Sequence, residues 1–226
     1  MYLYETHLHT SPVSRCARAG VEENVKFYKE LGYAGIFITN HFIDGNINAL
    51  RSDTYENRIN FFFSDYENGV AIGKKLEIDV FFGVEISYLG TDFLVYGLDK
   101  QWFLERPELE SMQKKQMLSL MANDGALIIH AHPFREANYI DHIRLFPRNV
   151  HGVETYNACR TDFDNKMAEQ YAENYGLLNF AGSDNHVGCN AAKLGGMASS
   201  TPIKNEIDFA ERVKRGELTA FQKRII

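Results

Sequence analysis

Histidine and carboxylate spacing is the first chemical signal in this chain. Two His-x-His pairs occur, His7-Leu8-His9 and His130-Ala131-His132. Eight histidines scattered at random over 226 residues would give roughly 0.3 such pairs. Each pair closes a short apolar run. Residues i and i+2 of an extended strand point the same way, so His7 and His9 can hold one ion from one side. Asp184-Asn185-His186 repeats the spacing after Gly182. Isolated histidine pairs are also ordinary surface imidazoles, and a lone Asp is usually a turn residue. The wider set decides between these readings: His41 follows Ile-Phe-Ile-Thr-Asn, Glu85 follows Val-Phe-Phe-Gly-Val, and Glu154 follows His-Gly-Val. Imidazoles and carboxylates together suit a divalent cation.

The elements that must deliver these residues alternate. Strands are predicted at Tyr2–His7, Ala34–Thr39, Ile78–Ile86, Phe93–Tyr96 (paired with the strand before it), Ala126–Ile129, Gly152–Thr155, Leu178–Ala181 and Leu218–Phe221. Helices are predicted at Val21–Leu31, Thr54–Leu76 (one or two), Pro107–Met121, within Ala137–Leu145, and at Asp164–Tyr175 and Ile207–Lys214. This alternation implies an α/β fold with a largely parallel sheet, and about seven units suit a barrel better than a short open sheet. In such a barrel the strand ends share one rim, where reactive groups collect.

Composition sets bounds. The chain has 226 residues, 45% apolar and 24% charged, and no linker divides it, so a single domain over residues 1–226 is expected. With 24 basic and 30 acidic residues the net charge is −6, and no basic stripe is present, which argues against long nucleic acid. No apolar run is long enough for a membrane helix. The start, Met-Tyr-Leu-Tyr-Glu-Thr-His, has no leader pattern, and the three cysteines form no CxxC. A cytoplasmic setting with reduced thiols is expected.

Five motifs in order, Glu5-Thr6-His7-Leu8-His9-Thr10, Thr39-Asn40-His41, Gly83-Val84-Glu85-Ile86-Ser87, Ala131-His132-Pro133 and Gly182-Ser183-Asp184-Asn185-His186, resemble those of the polymerase and histidinol phosphatase (PHP) superfamily. The resemblance implies a distorted (β/α)7 TIM-like barrel, two or three divalent ions (Zn, Mn or Fe) on the strand ends, and phosphoester hydrolysis. It assigns His7, His9, Glu85 and Asp184 to a first ion, with Glu85 bridging to a second. That second ion would take His132 and Asp92, where many relatives have a His; the carboxylate favours harder ions such as Mn, Fe or Mg.

The resemblance assigns His41 and His186 to a third ion. A histidine that completes this site in some relatives is replaced here by Ser14-Arg15-Cys16. Arginine stays protonated and cannot ligate. Three outcomes stay open: two protein ligands plus water, a Cys16 thiolate, or no third ion with Arg15 on phosphate. A weaker or partly solvated ion is expected. Glu5 and Asn40 are expected to orient imidazoles, and Glu154 to play a supporting part.

The implied reaction needs a hydroxide, neutralised phosphoryl charge and a protonated leaving oxygen. Arg135 and Arg160 lie just past strand ends and can grip phosphate, though either can be a plain surface arginine. His186 or His41 can act as general acid if no third ion binds. The favoured substrate is a small phosphomonoester such as histidinol phosphate. The alternatives are a phosphodiesterase or nuclease on nucleotides or DNA ends, and a non-catalytic metal-binding module. Oligomeric state is not readable. His130 is expected to be a hydrogen-bonded neighbour of the ligands, His142 and His151 surface residues, and Cys159 and Cys189 small apolar fillers. Tyr55 and Phe61 to Phe63 are read as core or as part of a lid with Ile43 to Thr54.

Overall fold

The short apolar runs and amphipathic stretches resolve into strands and helices in a computed structural model, which describes residues 1–225. In order these are β1 (Tyr2–Glu5), α1 (Val21–Glu30), β2 (Gly35–Ile38), α2 (Tyr55–Leu76), β3 (Asp79–Phe82), β4 (Val84–Tyr88) and β5 (Thr91–Tyr96). Then follow α3 (Lys100–Leu104), a 3-10 turn at Pro107–Glu110, α4 (Lys114–Asn123), β6 (Leu127–Ala131), β7 (Gly152–Asn157) and α5 (Asp162–Tyr175). The chain continues through β8 (Leu178–Gly182), a 3-10 turn at Gly188–Asn190, β9 (Lys193–Ser199), α6 (Glu206–Lys214) and β10 (Thr219–Arg224). No helix among the described residues is long and apolar enough to cross a membrane.

The strands form two five-stranded sheets, ordered β10-β9-β1-β2-β3 and β4-β5-β6-β7-β8. The fold is therefore mixed α/β, but the expected largely parallel sheet is corrected. The pairs β1–β2, β2–β3, β6–β7 and β7–β8 are parallel; β1–β9, β9–β10, β4–β5 and β5–β6 are antiparallel. The cause is local. Leu89 and Gly90 both have positive φ, 51° and 82°, which makes a tight hairpin and folds β5 straight back on β4 without a crossover helix. Among the described residues the ladders do not close into the expected barrel. Two single bridges, Leu8 with Asn185 and His41 with Glu85, span the seams between the sheets.

Other boundaries moved for identifiable reasons. The strand expected at Ile78–Ile86 breaks at Gly83, where a Cβ would come within 2.8 Å of Thr39 and 2.9 Å of the Tyr96 ring. The helix expected at Pro107–Met121 is interrupted because Gln113 is extended (ψ 136°). No helix forms within Ala137–Leu145; that strip is tied down by Arg144, whose Nη1 donates to the Leu89 carbonyl at 2.9 Å. Helix α2 is one continuous helix, capped by Thr54.

One core joins the two sheets. Tyr4, Phe37 and Phe81 from the first sheet meet Leu94, Tyr96, Ile129 and Phe180 from the second, with Phe209 of α6 against them. A second cluster packs Phe62 and Phe63 of α2 on Phe42, Phe82 and Phe103. These phenylalanines are core, and Ile43 and Ile47 of the loop expected as a lid are buried with them. Phe63 stacks on Phe82 with ring centroids 4.3 Å apart. Phe63→Ala removes a fully enclosed ring and should cost about 3–5 kcal/mol, read as a lower urea midpoint with an unchanged slope.

Candidate metal centre

The turn after β1 carries His7 and His9, and buried polar side chains hold it. The Glu5 carboxylate accepts the backbone N–H of Thr6 (2.9 Å), His7 (2.9 Å) and Ser183 (3.0 Å), and also bonds the Ser183 hydroxyl. It thereby locks the turn after β1 to the turn after β8. Asn40 Oδ1 accepts from Thr10 N and Ser14 Oγ, both at 2.7 Å. Asp65, inside α2, accepts from Thr10 Oγ1 at 2.7 Å and Val13 N at 3.2 Å. Glu5 and Asn40 were expected to touch imidazoles. Instead Glu5 holds the His7 backbone, and Asn40 acts through Ser14, whose Oγ lies 3.3 Å from His9 Nδ1. Two of the converging residues sit in the left-handed region, His132 (φ 26°) and Asp184 (φ 54°), a strain the surrounding packing must offset.

The buried side chains converge on Glu85. Its Oε1 lies 3.3 Å from His7 Nε2 and 3.1 Å from His132 Nε2. Its Oε2 lies 3.4 Å from His9 Nε2 and 2.8 Å from His41 Nδ1. Asp184 Oδ1 is 3.4 Å from His7 Nε2 and 3.5 Å from His9 Nε2. Cys16 Sγ is 3.3 Å from His41 Nε2. Three groups have donor atoms within 4.8 Å of one another: His7, His9 and Asp184; His7, Glu85 and His132; and His9, Cys16, His41 and His186.

Hydrogen bonding fixes which nitrogen of each ring faces the cluster. His7 Nδ1 donates to Glu154 Oε1 at 2.8 Å, which turns Nε2 toward Glu85 and Asp184. Ser14 Oγ gives its proton to Asn40, so it accepts from His9 Nδ1, and His9 Nε2 is bare. His186 Nδ1 donates to the Asp184 carbonyl at 2.7 Å, which turns its Nε2 toward Cys16. The Nε2 atoms of His7 and His9 face each other at 3.2 Å. Ligand atoms around an ion with bonds of about 2.0–2.2 Å sit roughly 3.0–3.5 Å apart, so this crowd of lone pairs and carboxylates fits a divalent cation.

Proton affinities report the same pull toward positive charge. Burial alone would raise the Glu85 carboxyl, yet His41, His132 and His7 hold it well below the usual range. Asp184 is likewise held low, against its burial, by His7, His9, His132 and His186. Despite burial, His41 is raised to about 10 by Glu85 and Cys16. His9 falls to about 3 through burial and the neighbouring His186 and His41, so it stays neutral and available as a donor. Cys16, which burial would push up, drops to about 6 under hydrogen bonds from His186 and His41.

Asp92 is buried near this group but outside its closest contacts. Its Oδ2 is 3.9 Å from His132 Nε2 and 2.9 Å from Arg135 Nη2. Arg135 also donates to Tyr139 Oη at 2.6 Å. Both line a cavity of about 640 Å³ together with Arg160, Glu85, Asp184, His186, His41 and Cys16. The Arg160 Nε is buried and has no partner. Arg15 turns elsewhere: it donates to the Ile47 carbonyl at 2.8 Å and to Asn48 Oδ1 at 3.2 Å, which removes it as a phosphate contact.

Several other expectations change. His130 makes no hydrogen bond with either nitrogen; it is buried flat on Phe93, with centroids 5.2 Å apart. Cys159 and Cys189 are exposed, not buried fillers. His142 is exposed as expected, whereas His151 is half-buried and accepts from Ile128 N. Glu154 does support the group. Its Oε2 accepts from His132 N at 3.0 Å and Asn157 Nδ2 at 2.9 Å, while Oε1 fixes His7. Asp65 was missed; an Asp between Phe-Ser and Tyr on a helix face that is otherwise apolar was its only signal.

Comparison with known proteins agrees with this architecture. The PHP-associated family profile matches residues 162–218. No curated protein matches the chain by sequence. A two-domain Bacteroides vulgatus protein, described as containing a predicted PHP-like metal-dependent phosphoesterase, superposes with a TM-score of 0.72 at 16% identity. The match covers 97% of this chain and 64% of that one, so this chain spans less than two thirds of its length. A Bifidobacterium adolescentis protein provisionally described as a metal-dependent phosphoesterase gives 0.58 at 12% identity, over 92% of this chain and 94% of the other. A Chromobacterium violaceum amidohydrolase with bound sulfate and no metal gives 0.57 at 13%, over 96% and 97%.

Glu154 touches the backbone and ring of two convergent histidines without reaching the cavity wall. Glu154→Ala should lower zinc affinity about 10- to 100-fold in a chelator competition. Far-UV circular dichroism should stay unchanged.

Proposed function

With the fold and the PHP-associated segment of the PHP superfamily, we propose that this chain is a metal-dependent phosphoester hydrolase, acting as a phosphatase on a small phosphomonoester. The observation that carries this is Glu85, one buried carboxylate within 3.4 Å of four imidazoles, on the floor of a cavity that two arginines also line. We assign His7, His9, Glu85 and Asp184 to one ion, and Glu85, His132 and Asp92 to a second. Bound there, divalent ions would supply a water acidified toward pKa ~7 and neutralise phosphoryl charge. We also read the seam bridges at Leu8 and His41 as joints of an opened seven-position ring, which sets these residues on one rim.

The chain's own cations do the remaining binding. Arg160 also lines the cavity, and we assign its guanidinium to the phosphate oxygens. Arg135 is held in place by Asp92 and Tyr139, so its guanidinium is oriented before a substrate arrives. His186 and His41 turn toward Cys16, so we assign them to cation binding and not to protonation of the leaving oxygen. The cavity admits a compact organic phosphate such as histidinol phosphate, with the exposed Tyr139 ring beside it.

The test is a panel of phosphomonoesters and phosphodiesters assayed with and without chelator. Monoesters should be favoured by at least about tenfold in kcat/KM. Chelator should abolish turnover, and added Zn or Mn should restore it. Arg160→Ala should lower kcat/KM for the monoester roughly 10- to 100-fold with ion content unchanged. Faster diester cleavage would replace this reading with the nuclease one. Full ion loading without turnover would leave a metal-binding module.

A further inference from the structure

The departure at Ser14-Arg15-Cys16 places a sulfur where the expected nitrogen is missing. We infer that Cys16 supplies a thiolate to a third cation position, with His41 and His186 as its nitrogen donors, and that this position is chemically softer than the two around Glu85. The inference rests on the metal-centre reading above, and it concerns this chain's own substitution.

The geometry has three parts. The Cys16 Sγ lies 3.3 Å from His41 Nε2, and the donor atoms of Cys16, His41 and His186 fall within 4.8 Å of one another. The His186 ring is oriented for the task, because its Nδ1 donates to the Asp184 carbonyl and its other nitrogen, Nε2, is left to face Cys16. His9 stands close, its ring 4.3 Å from His186 and 4.5 Å from His41 between centroids. Its Nε2, however, lies 3.2 Å from His7 and 3.4 Å from Glu85, so that nitrogen belongs to the first position.

The turn that carries Cys16 is pinned. Ser14 bridges to Ile47, Arg15 N donates to the Asn46 carbonyl at 2.9 Å, and Ala17 N donates to the Ser14 carbonyl at 3.2 Å. The Arg15 guanidinium is drawn off to Ile47 and Asn48, and Cys16 lines the cavity in its place. The 3.3 Å from Cys16 Sγ to His41 Nε2 is the spacing of two ligands on one ion.

The donor chemistry separates the positions. Oxygen from Glu85 and Asp184 accepts hard ions such as Mn or Mg, whereas thiolate with two imidazoles selects Zn or Fe(II) over Mn and Mg. The centre would thus carry two classes of cation site. The third is the most exposed, because Cys16, His41 and His186 are only half-buried at the cavity wall.

The experiment loads the full chain with Co(II) as the probe. The wild-type protein should show a near-ultraviolet sulfur-to-cobalt charge-transfer band. Cys16→Ser should lose it, and the double variant Cys159→Ser, Cys189→Ser should keep it. Elemental analysis after zinc loading should find about one ion per chain fewer in Cys16→Ser. Cys16→His restores a nitrogen donor; it should recover the ion without the band, which separates ligation from a folding defect. Alkylation of Cys16 by iodoacetamide should slow at least about tenfold on zinc loading, with Cys159 and Cys189 as internal references. A cobalt-loaded wild type without the band, or a band that survives in Cys16→Ser, overturns the inference. Hydrolysis enters none of these readouts. A chain with the band but no phosphoester turnover keeps this site and loses the proposed function, and turnover without the band does the reverse.

Discussion

A carboxylate buried among imidazoles is the constraint on which this molecule turns. Glu85 is almost wholly removed from water, and so are His7, His9, His132 and Asp184. Burying such charges separately would cost several kcal/mol each. Together they offset one another, but only while each nitrogen and oxygen keeps its place within a few tenths of an ångström. Proton affinities that are depressed on the carboxylates and raised on His7 and His41 express this mutual dependence.

Positioning of this order falls to a hidden polar framework. Glu5 ties the end of β1 to the end of β8, Asp65 and Asn40 hold the turn after His9, and Glu154 fixes His7 and the His132 backbone. None of the four needs to face the cavity. Gly182 completes the framework by omission: a Cβ there would come within 2.7 Å of Glu154 Oε1. The two sheets meet at the bridges beside these residues, so fold and centre are stabilised by the same contacts.

The convergent histidines were legible because period two puts His7 and His9 on one side of an extended segment, and because apolar runs end where ligands begin. One pairing was legible, that of Phe93–Tyr96 with the strand ending at Ile86, and β4 and β5 do pair. Periodicity does not report a strand's direction, so the Leu89-Gly90 hairpin and the antiparallel course of β5 escaped it. Strand β9 was not predicted; its central Gly195 and Gly196 carry no side chains to show alternation. At Gly195 a Cβ would meet the Gly182 carbonyl at 2.7 Å, so the glycine serves close approach and not flexibility. Asp92 and Arg135 were assigned to separate duties, yet they form an ion pair that spacing could not reveal. Helix α3 carried a readable sign, Asp99 capping Trp102 N, in a segment too short for periodicity to register.

The strip from Glu136 to Val150 forms no helix or strand and adds no rung to either sheet. It borders the cavity through Tyr139 and is moored by Arg144 to the Leu89 hairpin. Its exposed Tyr139, Ile143 and Leu145 contribute nothing to the polar framework beneath. The buried cluster and the strip beside its cavity are thus encoded in different stretches of sequence. Under the proposed function, substitutions in this strip would change which molecules enter while leaving the converging side chains and their polar supports in place.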